Sequence, residues 1–237
     1  MKNLKYLITG GWGRLGSELK DKIDAVAPTK TEMDILNPKA ITIQLTNNEV
    51  DTILHLAAIC DVRQAEKEKL QTYNVNVHGT ANLAEAAKKF GKKLIYISTD
   101  YIFPGDTGNY SEKDEPSPTN WYGFTKYAGE LEIQQRTQNY LIIRTSFRPN
   151  VWPFPTAYDD VFTSGDYVDV IADEILTALK LDISGIIHIG TSKKTLFELA
   201  KQRNPEIKPE HAPKEILKRK DLDISLWGSI KNSNNKK

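Results

Sequence analysis

The sequence predicts an α/β protein, a doubly wound parallel sheet followed by a small C-terminal α/β lobe, and three observations predict it. Short β-rich apolar runs alternate with longer helical stretches. A loop with glycines at 10, 13 and 16 follows the first of those runs directly. After Thr145 the texture changes and prolines crowd the chain. Such alternation marks parallel strands, because parallel neighbours need a crossover of a dozen residues or more.

The elements follow in order. Strands are expected at Leu4–Thr9, briefly at Ala25–Ala27, then at Thr52–Leu56, Leu94–Thr99 and Tyr140–Thr145. Leu15, Leu19 and Ile23 repeat at helical spacing after the first strand. Asn37 before Pro38 has the cap-then-proline order of a helix start. Val77–Phe90 is rich in alanine and leucine, and Gly91 stops it. Pro104–Thr119 carries Pro104, Gly105, Gly108, Pro116 and Pro118 among polar residues, so a long surface loop is expected there. Thr119 is the expected cap of a helix that carries Tyr122, Lys126 and Glu130 along one side. Beyond it, Arg148–Pro155 holds too many prolines for regular structure. A helix at Val168–Leu181, a strand at Ile186–Ile189 and a helix from near Thr195 complete the lobe. The domain expectation is 1–146 for the first domain, 147–227 for the lobe, and 228–237 for a polar, frayed tail.

Composition excludes several classes. Lys and Arg number 32 against 31 Asp and Glu, so no global field draws nucleic acid or an anionic membrane surface. The single cysteine, Cys60, excludes an internal disulfide and fits a reducing compartment; beside Ala57, Ala58 and Ile59 it is expected as a small buried hydrophobe. The N-terminal apolar run is too short for a signal peptide and leads straight into the glycine loop. No stretch reaches the roughly 18 apolar residues of a membrane span. A cytoplasmic protein is expected, with a homodimer as the oligomer left open. His55, His78, His188 and His211 show no metal spacing, so no metal is expected; His55 and His188 fall in strand-like runs that suit packed, hydrogen-bonded imidazoles.

The chemistry lies in two places. At a strand–helix junction, one glycine permits a tight turn, one lets backbone approach a pyrophosphate, and one lets helix and strand pack closely. The phosphates then meet unpaired N–H groups and the positive end of a helix dipole. Gly10, Gly13 and Gly16 therefore read as a Rossmann-type dinucleotide loop. Tyr122 and Lys126 stand one helical turn apart, and an ammonium beside a phenol favours phenolate and makes the phenol a better proton donor near neutral pH. A Tyr-x-x-x-Lys arises by chance about once in a chain this rich in both residues, so its weight comes from its place. It follows the strand ending in Ser98 and Thr99, and ligand chemistry in open parallel sheets gathers at the carboxyl ends of strands.

The order of glycine loop, strand-end threonine and Tyr-x-x-x-Lys resembles the short-chain dehydrogenase/reductase superfamily. The stretches His55–Ala58, Asn76–Thr80, Ser98–Phe103, Tyr110–Pro118 and Arg144–Ser146 resemble its extended, nucleotide-sugar branch and most of all the dTDP-4-dehydrorhamnose reductase family. That resemblance implies a nicotinamide cofactor and the reduction of a 4-keto-6-deoxy sugar carried on a nucleoside diphosphate. It implies Thr99, Tyr122 and Lys126 as the catalytic trio. Around the cofactor it implies Gly10, Trp12, Gly13, Arg14, Leu15 and Gly16 of the loop, then Asp34 and Ile35 by the adenine. Leu56, Ala57 and Ala58 beneath the cofactor, Asn76 near the active site and Ser98 complete that set, with Tyr122 and Lys126 shared. Sugar-nucleotide 4,6-dehydratases place Asp-Glu after the threonine; here Asp100 and Tyr101 follow, so the second carboxylate that elimination needs is missing.

The chain departs from the reductases at Phe147, where they carry tryptophan, and in a shorter segment before Val168. Asp100, Phe147, Arg148 and Trp152 are the substrate contacts expected, with Arg219 a further cation, since aromatic faces stack on bases and guanidinium forks match phosphates. After the second strand stand Pro28, Thr29 and Lys30 rather than an acid, and Arg14 lies in the loop. Both cations suit a 2′-phosphate, so NADP(H) is expected, with NAD(H) as the alternative. Two other functions stay open: a nucleotide-sugar 4-epimerase, and an NADP-binding regulatory subunit resembling the methionine adenosyltransferase β subunit.

Overall fold

Strands and helices alternate through the first two thirds of the chain in the computed structural model, which describes residues 4–234. They are β1 (Tyr6–Thr9), α1 (Arg14–Leu19), β2 (Ala25–Val26), α2 (Pro38–Asn47), β3 (Thr52–His55), α3 (Val62–Lys67) and α4 (Lys69–Tyr73). A π-helical segment, Asn74–Gly79, runs into α5 (Thr80–Phe90), followed by β4 (Lys93–Thr99), a 3₁₀ turn at Asp100–Ile102, α6 (Trp121–Arg136) and β5 (Tyr140–Thr145). Then come β6 (Phe147–Arg148), β7 (Thr156–Tyr158), β8 (Phe162–Thr163), β9 (Asp166–Tyr167), α7 (Val168–Leu179) and β10 (Gly185–His188). The last are β11 (Lys194–Thr195), α8 (Leu196–Lys201), β12 (Lys208–Glu210) and α9 (Ser225–Asn234).

The described chain divides into two compact units. One comprises the chain up to Ser98, Asn120–Ile143 and Asp182–Gly185; the other comprises Thr99–Thr119, Arg144–Leu181 and the chain from Ile186 onward. The expected single boundary after residue 146 assigned Thr99–Thr119 to the first domain. They join the second unit because Tyr110 donates its N–H to the Asp221 carbonyl at 3.1 Å and accepts from Asp223 N–H at 2.7 Å.

In the first unit the strand order is β5-β4-β3-β1-β2, and the β1–β2, β1–β3 and β3–β4 pairs are parallel. All four residues of β1 and of β3 are buried, as in a parallel sheet covered on both faces. Leu7, Ile8, Ile53, Leu54 and Leu94 form its centre, and Leu83, Ala84 and Ala87 of α5 are buried with them. The fold is the doubly wound α/β fold expected. Asn37 caps α2 through its side chain, with Pro38 behind it, and Gly91 ends α5 in the left-handed conformation.

Several local expectations give way. The cap of α6 is Asn120, not Thr119: its Oδ1 accepts from Gly123 N–H at 2.9 Å, the geometry of an N-cap side chain. α1 ends at Leu19, so Ile23 lies outside it, and α7 stops at Leu179. Arg148 is not irregular: Phe147 and Arg148 pair in parallel with Asp166 and Tyr167. The expected frayed tail is helical through Asn234, and residues 235–237 lie outside the described residues. Trp227 holds that helix, being fully buried with its indole N–H donated to Glu174 at 2.5 Å, and Lys231 adds an ion pair to the same carboxylate.

In the second unit short strands pair two by two: β6 with β9, β7 with β12, β8 with β11. Small apolar clusters form around Ala157, Ala200 and Ile207 and around Val161, Leu196 and Ala212. Thr195 begins α8 with a capping box to Glu198.

Candidate active site

The chain leaves β1 toward β2 on one side and returns through β3 on the other, so the strand order reverses between β1 and β3. Ligands of doubly wound sheets bind outside the carboxyl ends of strands at such a point. Gly10 follows β1 there with φ +69°, and a Cβ on it would meet Ala57 N at 2.7 Å. A Cβ on Gly16 would meet the Gly10 carbonyl oxygen at 2.4 Å. Thr9 Oγ1 ties the two strand ends by accepting from Leu56 N–H and Ala57 N–H, each at 3.2 Å. Gly13 caps α1 without a side chain, so no side chain closes the helix start. These residues fit a dinucleotide: the backbone is drawn in where a diphosphate would lie, with Leu15 buried behind it.

Trp12, Arg14 and Lys30 are exposed at the same end. Trp12 braces the loop by donating its indole N–H to the Ala27 carbonyl at 3.1 Å. Sequence reading missed Glu32. It folds back and accepts from Thr29 N–H at 2.7 Å and Thr29 Oγ1 at 2.8 Å, so a carboxylate does stand after β2, reached through a turn and not through the adjacent position. Asp34 accepts from Leu36 N–H, while Ile35 is buried over Gly79.

Tyr122 is half-buried in the first turn of α6. Lys126, one turn on, is buried; its Nζ donates to the Ile97 carbonyl at 2.7 Å and lies 3.9 Å from the centre of the Tyr96 ring. Burial lowers this ammonium to about 8, with Cys60 and Glu130 acting in the opposite sense. His55 is held neutral by burial and then by Lys126; it bridges Thr9 Oγ1 at 2.7 Å and Thr80 Oγ1 at 2.9 Å. Tyr96 is raised well above its usual range by burial and then by Glu130. At neutral pH the cation stays largely charged, one helical turn from Tyr122.

Asn76 is buried and fully engaged: it accepts from Ile59 N–H at 2.8 Å and donates to the Ile59 carbonyl and to Thr125 Oγ1, each at 3.0 Å. It braces the loop after β3 against α6. That loop turns Cys60 outward, so the thiol is free and exposed, not buried as expected. Ala57 and Ala58 are half-buried on the same loop. The Ser98 hydroxyl is given to Glu130 Oε1 at 2.5 Å.

The remaining expected residues belong to the second unit. Thr99 Oγ1 donates to Asp100 Oδ1 at 3.1 Å and accepts from Tyr101 N–H, and both Thr99 and Asp100 are buried. Phe147 and Arg148 are half-buried in β6. Trp152 packs against both apolar clusters and donates its indole N–H to the Thr156 carbonyl at 3.0 Å, so it serves the interior of this unit. Arg219 stacks over Phe162 and meets Asp221. His188 is buried as expected, but neither ring nitrogen has a hydrogen-bond partner among the described residues. His211 is drawn beside Asp159 and Asp160, a trio that sequence spacing hid, although Lys218 already meets Asp160. No helix among the described residues is long and apolar enough to cross a membrane.

A family model described as the RmlD substrate binding domain matches residues 4–177. The chain belongs to this family. Among its relatives, a dTDP-4-dehydrorhamnose reductase of Aggregatibacter actinomycetemcomitans is 32% identical over 213 residues, 84% of this chain and 68% of that protein. One from Mycobacterium tuberculosis is 33% identical over 153 residues, 60% of this chain and 50% of that protein. The chain thus spans about half the length of the first curated relatives it matches. Among solved structures in the family, dTDP-4-dehydrorhamnose reductase of Bacillus anthracis in complex with NADP matches with a TM-score of 0.87 at 27% identity, covering 97% of this chain and 92% of that one. The UDP-glucose 4-epimerase of Thermus thermophilus, in complex with NAD, matches at 0.79 and 19% identity over 96% of this chain and 93% of that one, and so shares the fold.

Proposed function

We propose that this chain uses NADPH to reduce the 4-keto group of a dTDP-linked 6-deoxy sugar, as in dTDP-rhamnose synthesis. The observation that carries the reading is Lys126, a buried ammonium held one helical turn from Tyr122 in a unit whose glycine loop fits a dinucleotide. Family membership and the NADP complex of the Bacillus anthracis protein support the cofactor and the substrate class.

NADPH, when bound, supplies the hydride. The backbone of Gly10–Gly16 holds the diphosphate, and Arg14 and Lys30 favour a 2′-phosphate. Lys126 keeps the phenol of Tyr122 acidic and hydrogen-bonds the nicotinamide ribose. Tyr122 gives its proton to the sugar oxygen. Arg148 is the proposed guanidinium for the sugar diphosphate. The free thiol of Cys60 suits the cytoplasm, where we place the protein.

A panel of nucleotide-linked 4-ketosugars, followed by loss of NADPH absorbance, tests this. Stoichiometric oxidation with the dTDP-4-keto-6-deoxy substrate is expected, whereas an epimerase consumes no net cofactor. Tyr122→Phe should lower kcat by ~10²-fold or more while NADPH binding is kept. Full activity in that variant, or a wild-type protein that binds NADPH yet oxidises none with any member of the panel, overturns the reading.

A further inference from the structure

Glu130 lies one turn beyond Lys126 on α6 and is completely buried, and the proposed reaction leaves it without a task. A buried carboxylate is costly unless its oxygens are hydrogen-bonded and its charge is matched. Three consecutive residues of β4 are anchored to this part of α6. The Tyr96 hydroxyl donates to the Lys126 carbonyl at 3.3 Å, the Ile97 carbonyl accepts from Lys126 Nζ at 2.7 Å, and the Ser98 hydroxyl donates to Glu130 at 2.5 Å. Gly129 permits the approach: a Cβ there would meet the Tyr96 hydroxyl at 2.7 Å and the Asn76 carbonyl at 3.0 Å.

We propose that Glu130 is a positioning residue for Lys126, fastening the end of β4 through Ser98 and serving as the buried countercharge of the ammonium. This rests on the reading of Lys126 as an active-site group. Residues four apart on a helix share a face, so the carboxylate follows Lys126 as Lys126 follows Tyr122. The titratable groups that face Lys126 are His55 on β3, Tyr96 on β4, Cys60 on the loop after β3, and Tyr122 and Glu130 on its own helix. On α3, Glu66 accepts from Trp121 N–H at the start of α6. His55 is neutral and Tyr96 holds its proton, so the groups that oppose the burial of Lys126 are Cys60 first and Glu130 second, and Glu130 is the one tied to β4 through Ser98. Without it, Cys60 alone opposes the burial of Lys126, the ammonium deprotonates at lower pH, and the charge one turn from Tyr122 is lost at lower pH as well.

The test is an NMR titration of the lysine ε-groups in the cofactor-free protein, with Lys126→Met to assign the resonance. The wild-type Lys126 should titrate near 8. Glu130→Gln should lower that midpoint by ~1 pH unit or more, and Glu130→Asp, which keeps the charge, should stay near wild type. Turnover follows: with the midpoint at ~7, kcat at pH 7.5 falls ~3-fold and recovers toward pH 6, whereas mere loosening costs the same at every pH. A midpoint unmoved by Glu130→Gln overturns the proposal.

A urea-unfolding cycle gives a second decision if Glu130→Gln alone does not fold. Lys126→Met leaves the carboxylate uncompensated, so the double variant Lys126→Met/Glu130→Gln should unfold at higher urea than Lys126→Met. A double variant no more stable than Lys126→Met overturns the countercharge. A wild-type chain without turnover refutes the proposed reaction, while the titration and the cycle still decide the role of Glu130.

Discussion

Replacing Gly16 by alanine tests the seat of the dinucleotide most directly. The added Cβ would stand 2.4 Å from the Gly10 carbonyl oxygen, 2.5 Å from Gly11 Cα and 2.6 Å from Gly11 C. Ordinary contact begins near 3.4 Å, so α1 and the loop must separate by about 1 Å. All three obstacles are backbone, and no side chain can swing aside. Gly10 cannot retreat either, because it is wedged against Ala57 while Thr9 Oγ1 holds Leu56 and Ala57. Overpacking of this kind costs ~1–3 kcal/mol, and rigid backbone puts this case near ~3. A displacement of about 1 Å also stretches the N–H contacts offered to the diphosphate, and losing one such charge-assisted hydrogen bond costs ~1.5–3 kcal/mol, so NADPH affinity should fall by ~10- to 100-fold. Urea unfolding followed by tryptophan fluorescence reads the first quantity, and titration of NADPH fluorescence reads the second. Gly228→Ala, where an added Cβ meets open space inside α9, is the contrasting control: it should leave NADPH affinity unchanged and raise stability by ~0.5–1 kcal/mol. A folded Gly16→Ala protein that binds NADPH as tightly as wild type would refute the placement of the diphosphate.

Acid stability should depend on His188. Burial, with Arg144 adding to it, lowers this imidazole from 6.5 to about 4, so between those values the unfolded chain binds a proton that the folded chain refuses. Stability therefore rises with pH across the window, is complete above about 6.5, and is lost as pH falls toward 4, by up to ~3 kcal/mol. His188→Leu should flatten that part of the urea midpoint against pH, and an unchanged acid slope would remove His188 as the cause. Trp227→Ala should cost ~3–5 kcal/mol in the same assay, because it empties a fully buried site and strips an indole donor from Glu174. A loss below ~1 kcal/mol would show that α9 is not anchored there.

The first unit was readable from the sequence because its signals are local. Continuous apolar runs such as Thr52–Leu56 and Tyr140–Thr145 need only burial on both faces to become strands, and Asn37 with Pro38 or Gly91 needs only backbone geometry to set a helix end. The candidate site was readable for the same reason: the glycine spacing and the four-residue step from Tyr122 to Lys126 depend on one loop and one helix. Polar residues at the chain's end misled because a single tryptophan, packed and hydrogen-bonded to Glu174 more than fifty residues earlier, outweighs them. Glu32 escaped notice because it reaches Thr29 through a turn rather than from the next position.

Sequence by itself determined the kind of machine, an alternating α/β chain with a glycine loop at its first crossover and a phenol and an ammonium on one helical face. These follow from periodicity and backbone sterics, which act within a few residues. Only the tertiary structure decided how each polar side chain spends its hydrogen bonds: Asn76 on the loop after β3, Ser98 on Glu130, Lys126 on the Ile97 carbonyl, Thr99 on Asp100. Those pairings join residues from separate elements, and burial sets their energy by removing the water that would otherwise satisfy every one of them.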